Sequence, residues 1–381
     1  MRKKIIIACD SYKGCLASKE VNEAMALGVK CEKRSVNNEE RKVENSLAAS
    51  DTPEIIMFEM SDGGEGMLDA FLSAMQGERV TIHVHDALMR WIEADYGIVR
   101  IANKDASVSF AGIDDIAIIE IAQAVGLSFI EPEQRNPMKA TSWGVGEMIL
   151  HAYRHGIRRF IVGLGGSATS DCGIGMLKAM SDDWKRIRKD CTFVVASDVT
   201  NPLCGENGAA HVFAPQKGAD AKMVEMLDAR ARKFAEVSAK HFGVDKSQSP
   251  CAGAAGGLGY AFLQYFNAEF RAGADLLLET IGFDGMLKDA DLVITGEGHS
   301  DQQTLMGKLP QRILEHVLSY NVKPQVWLVS GGVSDEQALR AAGFDRVVAV
   351  TPPKMPLREA LNPEVARRNI ISVVASLLAT I

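Results

Sequence analysis

Several signals are missing from this sequence, and each absence closes off a class of protein. The seven cysteines (9, 15, 31, 172, 191, 204 and 251) contain no C-x-x-C pair. That argues against a zinc ribbon or disulfide scaffold and points to a reduced compartment, the cytoplasm. Apolar runs are short: the longest, 370–381, is broken by Ser372, Ser376 and Thr380, whereas a membrane span needs about 20 residues. The start MRKKIIIACD reaches Asp10 too soon to hold a secretory core. Basic charge is not in excess, with 42 Lys and Arg against 49 Asp and Glu and a net charge of −7. No basic stripe is present, so no nucleic-acid partner is expected. Proline is scarce, at 12 residues, and no solenoid period recurs.

Two motif tests also come out negative. The Gly307-Lys308 pair is followed by Leu309 and preceded at the required position by Gln302, so it is not a Walker A loop. Gly163, Gly165 and Ala168 satisfy a loose G-x-G-x-x-A pattern, but no acidic residue stands at a second strand end about 20 positions on, which disfavours a dehydrogenase. Histidine offers no metal motif either. His151 and His155 are four apart without the Glu of H-E-x-x-H, and His83 and His85 alternate on a strand.

What is present is glycine, 34 of 381 residues, gathered in short loops. The length suggests two domains or one large one. Apolar runs at Lys4–Cys9, Ile55–Met60, Asp291–Thr295, Gln325–Ser330 and Arg346–Val350 read as strands, with helical stretches at Ser18–Val29, Met67–Met75, 310–319 and 335–342. Strands joined by helices give an α/β fold with an open parallel sheet, whose ligands bind beyond the carboxyl ends of the strands. Residues 80–285 interrupt this pattern with further strands at Thr81–Val84, Ala117–Glu120, Phe160–Val162 and Phe193–Ala196. The expectation is a discontinuous architecture: an α/β domain from 1–79 plus 286–381, and an inserted α/β domain over 80–285.

Chemistry-bearing residues follow the strands. Asp10, Ser11 and Lys13 follow the first; Ser61, Asp62 and Glu65 stand among the glycines of SDGGEG; Glu297, Ser300 and Asp301 follow the third. In a parallel sheet all three groups share one edge. The inserted portion adds GLGGSATSDCGIG at 163–175, a stretch bearing Asp198, Asn201, Gln216 and Lys217, CAGAAGGLG at 251–259, and WGVGE at 143–147. Glycine lets backbone approach a ligand closely, and N–H groups at a helix start favour an anion. The carboxylates Asp10, Asp62, Glu65, Asp171, Asp198, Glu297 and Asp301, with Lys13, Lys217 and Lys308, are parts that phosphoryl transfer requires: acids for Mg²⁺ and for the acceptor proton, cations and N–H groups for phosphate.

These motifs, in this order, resemble the type I glycerate kinases over nearly the whole chain: DSYKGCLAS, SDGGEG, GGSATSDCGIG, SDVTNPLCGENGA with FAPQKGA, GAAGGLG, and TGEGHSDQQT with GKLP. Ser61, Ser170, Cys172, His299 and Ser300 depart from the family's usual residues, while every acidic motif position is kept. The resemblance implies ATP- and Mg²⁺-dependent phosphorylation of D-glycerate at the 2-hydroxyl. It also implies a flavodoxin-like domain and an inserted α/β domain with the active site in the cleft.

Chemistry and motif position together assign the candidates. Lys13 and Ser11 would meet the glycerate carboxylate or the transferred phosphate, with Asp62, Glu65, Asn201 and Gln216 as further substrate contacts. Either Asp198 or Asp301 would be the base, the other helping to hold Mg²⁺ with Glu297. Gly165, Gly166, Ser167, Thr169, Gly256 and Gly257 would cradle the nucleotide phosphates, and Lys217 would neutralise their charge. The expected partners are small molecules, D-glycerate and ATP, with neither a membrane nor nucleic acid, and a homo-oligomer is compatible with this reading. Runners-up are a kinase of another small hydroxy acid, of the 3-hydroxyl of glycerate, or a ligand sensor that has lost the chemistry.

Overall fold

The computed structural model describes residues 3–35, 53–61, 63–100, 115–320 and 323–380. Asp62 and most of the polar segment 32–54 lie outside the described residues. In chain order the strands are β1 (Lys4–Ile7), β2 (Glu54–Met57), β3 (Glu78–His85), β4 (Trp91–Arg100), β5 (Asp115–Glu120), β6 (Arg159–Gly163) and β7 (Thr192–Ala196). They continue with β8 (Glu269–Arg271), β9 (Leu292–Thr295), β10 (His299–Ser300), β11 (Gln325–Ser330), β12 (Gly332–Val333) and β13 (Arg346–Ala349). The chain falls into two compact units, Met1–Ser61 with Leu277–Ile381, and Asp62–Leu276.

In the first unit, β2, β1, β9, β11 and β13 lie side by side in that order and every neighbouring pair is parallel. Counted along this unit the order is 2-1-3-4-5, the flavodoxin arrangement. The apolar runs read as strands make up this sheet. Ile5, Ile7, Leu292, Ile294, Trp327 and Val329 bury one of its faces under the helices Ser18–Ser35 and Pro363–Leu378. Those helices approach so closely that a Cβ on Gly28 would lie 2.7 Å from Val374 Cβ. Ser18 does more than start its helix: its hydroxyl donates to Cys9 O (2.7 Å) and accepts from Met60 N (2.8 Å), tying the ends of β1 and β2 together.

In the second unit, β3 to β8 form a six-stranded sheet in sequence order, antiparallel from β3 to β5 and parallel from β5 to β8. Its core holds Tyr96, Phe160, Phe193, Phe262 and Phe266, with Phe160 and Phe193 stacked at 4.8 Å. The sequence pattern does not predict β4 or β8. β4 carries Glu93 and Asp95 along a half-exposed antiparallel strand, and β8 is three residues long. The long helix Ala221–Phe242 is capped by Asp220, whose Oδ1 accepts from Met223 N at 2.8 Å, and ends at Gly243 with φ 73°.

The units change over at 61/62 and 276/277 rather than at the expected 79/80 and 285/286. The cause lies in the helix Met67–Met75, whose Leu68 and Leu72 cover Gly97 of β4 and so fix that helix to the second sheet. The glycine loop before this helix rests directly on the loop after β6. Gly165 N donates to Gly63 O at 3.2 Å, and a Cβ on Gly165 would stand 2.2 Å from Gly64 Cα. Only backbone fits there. Gly165→Ala is therefore expected to destabilise the protein by about 1–3 kcal/mol, the usual range for overpacking, lowering Tm by about 2–4 °C per kcal/mol. Gly285→Ala, with open space around it and a helical backbone, should leave Tm unchanged or raise it slightly; differential scanning calorimetry of the two variants checks both.

Candidate functional site

In the first unit the parallel strands end together, and the loops that follow them interlock. Asp10 N donates to Gly296 O at 2.9 Å, and Tyr12 OH donates to Val329 O at 2.9 Å. Asp10, Ser11 and Lys13 after β1 are thereby gathered with Glu297, Ser300 and Asp301 after β9. Ser11 is half-buried, its N–H donating to Asp10 Oδ1 (2.7 Å), and Lys13 is exposed. Asp301, half-buried, accepts from Gln303 N at 2.8 Å.

Glu297 is only 8% exposed and is spent on its own surroundings. Its Oε1 accepts from Thr304 Oγ1 (2.6 Å) and Ser300 Oγ (3.2 Å), and its Oε2 from Lys308 Nζ (3.1 Å). Ser300 in turn shares a 2.8 Å bond with Ser330 Oγ at the end of β11. A carboxylate so fully bonded orders the loop and holds Lys308 in place. It does not fit the metal-ligand role that the sequence suggests.

The second expected group is divided. Ser61 is buried in the first unit and Asp62 is not described, whereas Glu65 belongs to the second unit, where it accepts from Ser128 Oγ at 3.0 Å. The helix after SDGGEG has no cap of its own; Glu120, at the end of β5, supplies one, its Oε2 accepting from Leu68 N at 3.1 Å. Burial pushes the Glu120 carboxyl up to about 7, with Asp69 and Glu65 nearby adding to the rise. Sequence reasoning passed this residue over; an acid closing the apolar run of β5 is the signal that could have marked it.

The loop from 163 to 175 is the centre of the second unit's site. Ser167, Thr169 and Lys217 meet here. Lys217 Nζ, 3% exposed, donates to Ser167 Oγ (2.9 Å) and Thr169 O (2.7 Å). Burial holds the ammonium down at about 7, with Asp171 opposing the shift. Lys217 thus props the loop from beneath. Gly166 O accepts from Leu127 N at 2.7 Å, and Ala168 N donates to Val125 O at 2.8 Å. Gly256 and Gly257 back the loop: a Cβ on Gly256 would stand 2.0 Å from Thr169 O, and one on Gly257 would stand 2.9 Å from Cys172 Cα. The sequence places these two glycines at the ligand, but their close approach is to protein backbone.

Asp171 joins this loop to the helix Trp143–Arg154. Its Oδ2 accepts from Ser142 N (2.8 Å), Ser142 Oγ (2.9 Å), Gly175 N (3.0 Å) and Thr141 Oγ1 (3.3 Å), and its Oδ1 accepts from Gly173 N (3.1 Å). Asp198, beyond β7, is exposed and accepts from Gly273 N at 3.3 Å. Asn201 Nδ2 donates to Asn207 O at 2.9 Å, and Gln216 is exposed.

Among the described residues, no three His, Cys, Asp or Glu side chains are grouped to hold a metal by themselves, and no helix is long and apolar enough to cross a membrane. Mg²⁺ needs less than a full protein cage, since one or two carboxylates plus substrate phosphates suffice.

A family model described as "Glycerate kinase family" matches residues 5–184 and 180–381. The chain is 34% identical to a glycerate kinase of Bacillus cereus over 97% of each chain. It is also 34% identical to the glycerate 2-kinase of Escherichia coli, covering 91% of this chain and 90% of that one. A solved structure described as a "putative glycerate kinase 2" from Salmonella typhimurium LT2 superposes with a TM-score of 0.76 at 33% identity, covering 100% of this chain and 98% of that one.

The buried ammonium of Lys217 carries a stability signature. Between its folded value of about 7 and its ordinary 10.5, the unfolded chain holds the proton that the folded chain has given up, so its contribution to stability rises with pH across that window. The penalty is full below about 7 and gone above the ordinary value. Relative to Lys217→Met, which cannot titrate, the wild type should gain up to about 1.4 kcal/mol per pH unit through the window. Urea unfolding of both proteins from pH 6 to pH 10 measures the difference.

Proposed function

The chain belongs to the glycerate kinase family, and on that premise we propose that it transfers the terminal phosphoryl group of ATP to the 2-hydroxyl of D-glycerate, giving 2-phosphoglycerate and ADP. The observation that best supports this is the gathering of Asp10, Ser11, Lys13, Asp301 and the Glu297–Lys308 pair (3.1 Å) beyond the parallel strands of the first unit. Such edges bind ligands, and this one offers two ammonium groups beside carboxylates.

In this reading Lys13 and Ser11 hold the glycerate carboxylate or the moving phosphoryl group, and Glu297 acts only by fixing Lys308. One of Asp301 and Asp198 accepts the proton as the glycerate oxygen forms its bond to the terminal phosphorus, and the bond from that phosphorus to the bridging oxygen of ADP breaks. Mg²⁺, held by the other aspartate and the nucleotide phosphates, would offset the phosphate charge. Ser167, Thr169 and the N–H group at Gly166 serve the phosphates, Gly165, whose N–H is bonded to Gly63 O, shapes the same turn, and Lys217 keeps that loop in shape. Asp62, Glu65, Asn201 and Gln216 remain the proposed further substrate contacts. All seven cysteines are free thiols, in keeping with a cytoplasmic enzyme.

Incubation with D-glycerate, ATP and Mg²⁺ followed by NMR of the product should show 2-phosphoglycerate. Formation of 3-phosphoglycerate would reverse the regiochemistry, and ATP turnover indifferent to glycerate would remove the kinase assignment. Asp301→Asn and Asp198→Asn should each lower kcat by about 10²-fold or more, the scale of general-base catalysis. Retained nucleotide binding with wild-type turnover in both would refute the assigned roles.

A further inference from the structure

A cavity of about 430 Å³ opens in the second unit between the segment 137–143, the segment 170–178 and the helix Ala221–Phe242. Its walls are largely apolar, with Met89, Met138, Trp143, Ile174 and Leu227 among them. Lys139, Lys178 and Arg230 also line it, each exposed and without an ion pair to any described residue. The only carboxylate in the lining is Asp171, whose oxygens already accept five hydrogen bonds. The cavity therefore has three uncompensated cations and no available anion. Ser170 adds a second observation: it lines the cavity, is 8% exposed, and its hydroxyl oxygen has no hydrogen-bond partner among the described residues. A buried polar atom left unpaired is costly, and a ligand polar group can supply the missing bond.

These features select a ligand that is apolar over one part and anionic over another. The volume lies in the range of sites that take cofactor-sized molecules, and a three-carbon acid would fill little of it. Segment 170–175 is also the second half of the glycine loop whose first half, Gly165–Thr169, serves phosphate in the reading above. We propose that this cavity receives the base and ribose of the nucleotide donor, with Lys139, Lys178 and Arg230 offsetting the negative charge of its phosphates. The proposal rests on the kinase reading and assigns the nucleotide a place that reading leaves open. The cavity is preformed, because Asp171 fixes both of its loops.

Trp143 lines the cavity and reports on it. Titration of the full chain with ADP should change the tryptophan fluorescence, and Trp143→Phe should lose that change. Lys178→Glu and Arg230→Glu lie at exposed positions where folding is not at stake. Each should raise the Kd for ADP at least tenfold while moving the Kd for uncharged adenosine less than twofold. Met138→Trp, which narrows the cavity, should weaken both ligands, and D-glycerate binding should be unchanged throughout. Circular dichroism verifies that each variant is folded. ADP affinity within twofold of wild type in the folded charge-reversal and Met138→Trp variants would overturn the cavity assignment and leave the kinase reading standing. A wild-type protein that binds no adenine nucleotide would overturn the kinase reading itself.

Discussion

Much of the second unit's site depends on the carboxylate of Asp171 and the five donors that converge on it. Ser142, at the start of the helix Trp143–Arg154, and Gly173 and Gly175, at the end of the glycine loop, are bound to the same two oxygens. Ser142 Oγ also accepts from Met176 N at 2.9 Å, extending the network into the next helix. Removing such an acceptor would leave several N–H and O–H groups unpaired at once. The loop that rests on Lys217 and the walls beside Trp143 share this anchor, so their spacing is set by one side chain.

Both units commit buried charge to holding loops and leave other charged groups facing solvent. Glu297 and Lys217 are buried and bonded to neighbouring loop atoms, whereas Lys13 and Asp198 are exposed. A charge taken out of water needs partners, and those partners make the residue a rigid support. An exposed charge stays in water, where a ligand can reach it. Burial thus separates two roles that residue type alone does not distinguish.

The central strands of the first sheet, β1, β9 and β11, were legible because they are short apolar runs closed by glycine and polar residues, the signature of strands buried on both faces. β4 was not, since Glu93 and Asp95 dilute its alternation and its partner strand is antiparallel. The glycine loops were legible as loops, but their use was not. Sequence shows that Gly256 or Gly165 can accept close approach, while only tertiary structure shows that what approaches is Thr169 O or Gly64 Cα. Glu65 is a similar case, because the placement of its helix depends on Gly97, 32 positions further on. The burial of Lys217 beneath residues 48 and 50 positions away leaves no local pattern at all.

The backbone contact between Gly64 and Gly165 also constrains what sequences can occupy the two loops. Gly64 Cα fills the volume that a side chain on Gly165 would need, so position 165 has no room for a larger residue. A substitution at Gly165 cannot be offset by shrinking Gly64, which has no side chain to lose. The loop after β6 is therefore held to glycine at this position by a segment about a hundred residues away in the sequence.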